Sequence, residues 1–174
     1  VAIAGPSGAG KSTLMTLAAG LYQPQAGAVL LDGLDIRQLD PAELRTAIGW
    51  VAQDCHLFHG TVAQNLRLAQ PTASDAEINQ AAVDSGLLGP VLGLPDGFHT
   101  RLTEGLVRRL PDGFKQRLSL ARAYVRRPPI YLLDEPAARL DDEASTMLMR
   151  KLQDMRSHSA VLMVTHRPSH MRAA

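Results

Sequence analysis

Hydrophobic positions fall into two alternating kinds of run along this chain. Short unbroken apolar stretches at Val1-Ala2-Ile3-Ala4, Gly27 to Leu31, Ile48 to Ala52, Ile130 to Leu133 and Ala160 to Val164 read as buried strands. Between them, apolar residues recur at helical spacing: Leu14, Leu17 and Ala18; Ile78, Ala81 and Ala82; Leu118, Ala121 and Val125; Leu148, Leu152 and Met155. The boundaries carry their own signals. Gly20 and Gly86 stop the first two helices, and Arg126-Arg127-Pro128-Pro129 stops the third, which starts at Phe114. Asp40 is an N-cap for a short helix from Pro41 to about Arg45, with Glu43 at the capping-box position, and Ser74 with Glu77 repeats the capping-box signal. Strands that are apolar throughout, alternating with amphipathic helices, imply a parallel sheet covered on both faces.

Between Gly60 and about Val107 the strand-like runs vanish and only helical periodicity remains. The expected organisation is therefore one domain over 1–174, with an α/β core at 1–56 and 110–174 and an inserted helical subdomain at 57–109. The chain opens inside an apolar strand without an initiator Met, so it reads as a domain cut at both ends from something longer.

Composition narrows the classes. With 18 Lys+Arg against 17 Asp+Glu in 174 residues, bulk electrostatics gives no hold on nucleic acid or an anionic membrane, and no nucleic-acid partner is expected. A single cysteine, Cys55, cannot close an intramolecular disulfide, and the Cys55, His56, His59 cluster lacks a fourth ligand for zinc. The apolar runs fall far short of the roughly 20 residues that span a bilayer as a helix.

The first loop carries chemistry. Gly5-Pro6-Ser7-Gly8-Ala9-Gly10-Lys11-Ser12-Thr13 fits G-x-x-x-x-G-K-[ST], and it lies between a strand and a helix, where that pattern binds a nucleotide polyphosphate. Glycines let the backbone wrap phosphate oxygens with its N–H groups turned inward, and a helix N-terminus adds donors. Lys11 would then reach the β- and γ-phosphates, and the Ser12 hydroxyl would ligate Mg²⁺. The second element such a site needs is an apolar strand ending in an acid. Ile130 to Leu133 ends in Asp134, which serves the Mg²⁺ shell, and Glu135 is the candidate general base on an attacking water. His166, at the end of the next strand, can project toward the same rim.

Taken together with Val51-Ala52-Gln53-Asp54, Leu140-Asp141 and Val164-Thr165-His166, these motifs resemble, in order and approximate spacing, an ATP-binding cassette ATPase over the whole chain. The resemblance implies an α/β P-loop NTPase with a mainly parallel sheet flanked by helices, a RecA-like core and an inserted helical subdomain. It implies that Gln53 touches Mg²⁺ and the attacking water, that Asp141 meets a partner subunit and that His166 is the γ-phosphate switch. It also implies a second nucleotide-binding domain, as a homodimer or heterodimer, and a transmembrane domain on the same or another chain. The site would then lie at the cytoplasmic face of a membrane, such as the bacterial inner membrane. Residues 35–45, Leu57 to Val62 and Leu94 to Gly105 look like exporter cassettes, especially those of type I secretion systems.

One segment departs from the family. Where the pattern has Leu-Ser-Gly-Gly-Gln, this chain has Leu110-Pro111-Asp112-Gly113-Phe114, in register through Gln116-Arg117-Leu118. In the family this segment closes over ATP held by the opposite subunit. Pro111 removes a hydroxyl and an N–H, Asp112 adds negative charge beside an anion, and Phe114 replaces an amide with a ring. The expectation is an ATP-hydrolysing exporter motor that offers its partner a defective signature. The alternative is a nucleotide-binding regulatory subunit with little or no hydrolysis. A soluble repair or translation cassette and a P-loop kinase fit fewer of the motifs.

Overall fold

The computed structural model of the protein describes residues 1–173. Its centre is a four-stranded parallel sheet of β1 (Ala2–Ile3), β4 (Ile48–Val51), β7 (Ile130–Asp134) and β8 (Ala160–Val164), in the order β1-β8-β7-β4. Register sets Val164 opposite both Ile3 and Asp134, and Val51 opposite Leu133. All four strands thus end on one rim, where ligands bind in open α/β sheets.

Side chains alternate across the sheet and bury on both faces. Leu133 and Met163 join a large core with Leu118, Leu120, Leu148 and Met155, while Leu132 and Val164 join Met15 and Ala19 on the opposite face. The first face is covered by α7 (Asp112–Val125) and α8 (Asp142–Met155), the second by α1 (Lys11–Ala18). Trp50 packs half-buried against the smaller cluster.

The remaining elements follow local signals. β2 (Leu30–Leu31) and β3 (Leu34–Asp35) form a hairpin turned by Asp32 and Gly33, both at positive φ, 51° and 83°, as a two-residue Asp-Gly turn requires. α2 (Pro41–Ala47) is capped by Asp40, whose Oδ1 accepts from the Ala42 and Glu43 amides at 2.7 and 3.3 Å. It runs past Arg45 into β4 without a break.

Residues 57–109 hold α3 (Val62–Arg67), α4 (Asp75–Asp84), α5 (Leu88–Leu92) and α6 (Glu104–Arg109). The expectation that strands vanish here is corrected: β5 (Gly60–Thr61) pairs antiparallel with β6 (Arg101–Leu102). Strands this short carry no periodicity to read. Both α3 and α4 open with full capping boxes, Thr61/Gln64 and Ser74/Glu77. After β8 the chain continues into α9 (Pro168–Ala173), which sequence reading did not anticipate. Among the described residues no helix is long and apolar enough to cross a membrane.

Candidate functional site

The loop between β1 and α1 turns through Gly8 and Gly10 at φ 78° and 83°, a region closed to most side chains. Nothing lies within 4 Å of a Cβ built on either, so conformation and not crowding demands glycine. Lys11 folds back under the loop and donates to the Gly5 carbonyl at 2.9 Å and the Pro6 carbonyl at 2.7 Å. Its ammonium is thereby held against the carbonyls at the start of the loop.

A cleft of about 310 Å³ opens on the sheet rim. From the loop it is lined by Ser7, Gly8, Gly10, Lys11, Ser12 and Thr13, and from the other strand ends by Gln53, Glu135 and His166. Three separate strand ends thus face one loop, because parallel register carries β4, β7 and β8 to the same rim. Gly5, Pro6 and Ala9 stand behind the wall, shaping the loop through their peptides. Asp134 does not line the cleft; at 3% exposure it is buried at the end of β7.

Glu135 is held in an uncommon conformation. Its φ is 50°, in the left-handed region where non-glycine residues are rare, and its amide donates to the Val164 carbonyl at 3.0 Å. That bond ties the turn after β7 to β8. His166 Nε2 then lies 2.8 Å from Glu135 Oε1, with the imidazole 56% exposed and the carboxylate side chain 15% exposed. The imidazole is the polar group that faces Glu135 Oε1.

The donor set suits a small hard cation. Ser12 and Gln53 offer neutral oxygens on the cleft wall and Asp134 a carboxylate behind it, too few for an all-protein cage but what Mg²⁺ uses when phosphate and water complete its shell. Among the described residues no group of His, Cys, Asp and Glu forms a metal cluster of its own, which covers Cys55, His56 and His59. Burial pushes the Cys55 thiol up, and the His56 carbonyl accepts from Arg122 at 3.2 Å.

The segment 110–114 lies away from this cleft. α7 begins at Asp112, not at Phe114, with Pro111 as an N-cap that makes no side-chain bond. Asp112 is exposed, and the hydrogen bond from Lys115 at 3.0 Å holds its carboxyl below the usual range. Phe114 turns inward, 5% exposed within the large core, so its ring is packing and not part of the presented surface. Gln116, 1% exposed, donates to the Pro136 carbonyl at 3.0 Å and fixes α7 against the turn after Glu135.

Asp141 caps α8 by accepting from the Ala144 amide at 2.8 Å, which lowers its pKa, and it also pairs with Arg117 of α7. Sequence reasoning missed Arg139, whose guanidinium reaches Asp54 at 2.8 Å. It missed Arg122 as well, which bonds the Asn65 carbonyl and side chain at 3.1 Å each and lies over Phe58. Both contacts join segments far apart in the chain, where no local pattern marks them.

A glycine loop with an inward lysine, a strand-end acid pair and a facing histidine, on the rim of a parallel sheet, define a P-loop nucleotide-binding domain. The family model described as ABC transporter matches residues 1–138, and the chain belongs to that family, whose ATP-binding domains are ATPases. It is 41% identical over 170 residues to the mitochondrial potassium channel ATP-binding subunit of Xenopus tropicalis, covering 97% of this chain and 25% of that protein. It is 42% identical over 166 residues to the mycobactin import ATP-binding/permease protein IrtA of Mycolicibacterium smegmatis, covering 95% and 19%. A solved structure of a bacterial Atm1-family ABC exporter with ATP bound superposes with a TM-score of 0.90 at 38% identity, over 98% of this chain and 30% of that one. The chain thus spans a fifth to a third of the length of these relatives.

Proposed function

We propose that this chain is the ATP-hydrolysing domain of an ABC exporter, joined to a transmembrane domain and paired with a second nucleotide-binding domain at the cytoplasmic face of a membrane. The observation that carries the reading is the cleft where Lys11, Ser12, Gln53, Glu135 and His166 meet. The likeness to an Atm1-family exporter supports it more strongly than the resemblance to type I secretion ATPases, which no relative named above shares. In this reading residues 1–56 and 110–174 are the catalytic core and 57–109 the helical subdomain.

The chemistry follows from the wall. Lys11 exchanges the Gly5 and Pro6 carbonyls for the β- and γ-phosphates, while backbone N–H groups of residues 7–13 wrap the chain of phosphates. Ser12, Gln53 and Asp134 would hold Mg²⁺, which would screen charge on the phosphates. Glu135, whose carboxylate lines the cleft, takes a proton from the attacking water. His166, beside that carboxylate, donates from its imidazole to the γ-phosphate.

The partner face is weaker. Pro111 brings no capping hydroxyl and Asp112 sets a carboxylate at the start of α7, so a partner's nucleotide meets a poorer surface there. These two residues favour a heterodimer in which this chain's cleft meets an intact signature from a different subunit. They also favour the second reading, a regulatory subunit that hydrolyses little.

One measurement separates the readings. Phosphate release by the full-length protein is compared with that of Pro111→Ser/Asp112→Gly, leaving buried Phe114 in place. A rise in rate supports the weakened signature, and equal, robust rates overturn it. No MgATP binding by the wild type, or binding unaffected by Lys11→Ala, overturns the nucleotide reading itself.

A further inference from the structure

The turn from β7 to α8, residues 135–141, begins at Glu135 on the cleft and ends at the α8 cap Asp141. Between them stands Arg139, which touches two other segments at once. Its guanidinium meets Asp54 at 2.8 Å, and Asp54 is the neighbour of cleft-lining Gln53. Its carbonyl oxygen lies 3.1 Å from where a Cβ on Gly113 would stand, so the first turn of α7 packs directly on its backbone. Arg139 also contributes to the field that stabilises the Asp112 carboxylate, after the larger effect of Lys115. One residue therefore joins the Gln53 loop, the Glu135 turn and the start of α7.

We propose that Arg139 is a positioning residue: through Asp54 it holds Gln53 over the cleft, and through its backbone it makes the start of α7 move with that loop. The pair is suited to a movable link and not to a structural anchor. Arg139 is 35% exposed and Asp54 73%, so water and salt compete for both partners, and an exposed pair of this kind adds little to global stability. It can open and re-form as the cleft fills, while Gly113 lets α7 follow the backbone at close range. A larger residue at 113 would press on the Arg139 carbonyl and separate the two.

The kinetic arm of the test rests on the ATPase reading above; the exchange arm does not. In the full-length protein without nucleotide, hydrogen–deuterium exchange is measured for wild type, Arg139→Ala, Arg139→Lys and the swap Asp54→Arg/Arg139→Asp. Loss of the pair is expected to speed amide exchange at 52–56 and at 111–114 together, with Arg139→Lys and the swap restoring part of the protection. In turnover, Arg139→Ala is expected to lower kcat by about two- to fivefold with KM for MgATP unchanged, the scale of one exposed ion pair. Wild-type kcat should drift toward the variant's as salt rises. Unchanged exchange at either segment in Arg139→Ala overturns the inference, whatever the ATPase rate. Coupled exchange changes in a protein that hydrolyses no ATP leave it standing and remove the functional reading instead.

Discussion

His166 Nε2 and Glu135 Oε1 stand 2.8 Å apart across the ends of two neighbouring strands, at the mouth of the cleft. The contact exists because β7 and β8 pair in register as far as Asp134 opposite Val164, after which each chain turns away. Glu135 holds this position with a left-handed backbone, at φ 50°. Left-handed backbone at a non-glycine residue on a cleft is a pattern that clusters at functional sites.

Glu135→Gln keeps the size of the side chain and its place beside His166 but removes the base. Phosphate release should fall by roughly 10²–10⁴-fold, the usual worth of a general base, while ATP still binds. Steady-state hydrolysis and equilibrium nucleotide binding, measured on the same preparation, check this. Loss of binding together with hydrolysis would mean that the carboxylate shapes the site and does no proton transfer.

Phe114 and Asp112 lie two residues apart, and the structure predicts opposite consequences for changing them. Phe114 is buried in the large core, so Phe114→Ala should cost about 3–5 kcal/mol, lowering Tm by on the order of 10 °C in a domain this size. Asp112 is exposed and pairs with Lys115 at the surface, so Asp112→Gly should leave Tm nearly unchanged. Thermal unfolding of both variants, side by side, is the check. Equal losses would show that the ring is not anchored in the core.

The same five residues, Leu-Pro-Asp-Gly-Phe, occur at 94–98 and at 110–114, and they show what sequence can and cannot give. At the first site Gly97 turns at φ 52° into a short 3₁₀ turn ahead of β6; at the second the Asp112 peptide begins α7, a helix running on to Val125. The downstream residues decide between them, since 115–125 carry an apolar stripe and 99–103 do not. The glycine loop, Glu135 and His166 were legible because local pattern specifies them. The inward turn of Phe114, the Arg139–Asp54 pair and the β5/β6 ribbon depend on distant segments meeting, which no local pattern records.

Asn65 is a further such residue, 1% exposed and holding the loop that comes after Cys55. Its Oδ1 accepts from the Phe58 amide at 2.9 Å, and its Nδ2 donates to the Phe58 and Thr61 carbonyls at 2.8 and 3.1 Å. Asn65→Ala leaves those backbone groups and Arg122 short of a partner, at about 1–3 kcal/mol for each group that water cannot reach. A loss of about 3 kcal/mol in urea unfolding is expected, with faster proteolysis within 56–61. A loss under about 1 kcal/mol would show that solvent replaces the clamp.

Stability should also depend on pH through His170, which is 4% exposed between α8 and the cleft-edge segment 165–167. Ser145 Oγ accepts from Arg167 at 3.2 Å and shares a hydrogen bond with His170 Nε2, 3.1 Å away. The imidazole Nδ1 is buried with no hydrogen-bond partner among the described residues. Burial, and next the Arg167 charge, push its pKa below the ordinary 6.5. Below that value the unfolded chain binds a proton that the folded chain refuses. The stability present above about pH 6.5 is therefore lost as pH falls toward the depressed folded value. His170→Gln can still hydrogen-bond Ser145 but cannot titrate, so its Tm should fall less than that of the wild type between about pH 7.5 and about pH 5.5. Parallel declines would show that other groups carry the acid sensitivity, and a steeper decline in His170→Gln would reverse the sign assigned to the imidazole.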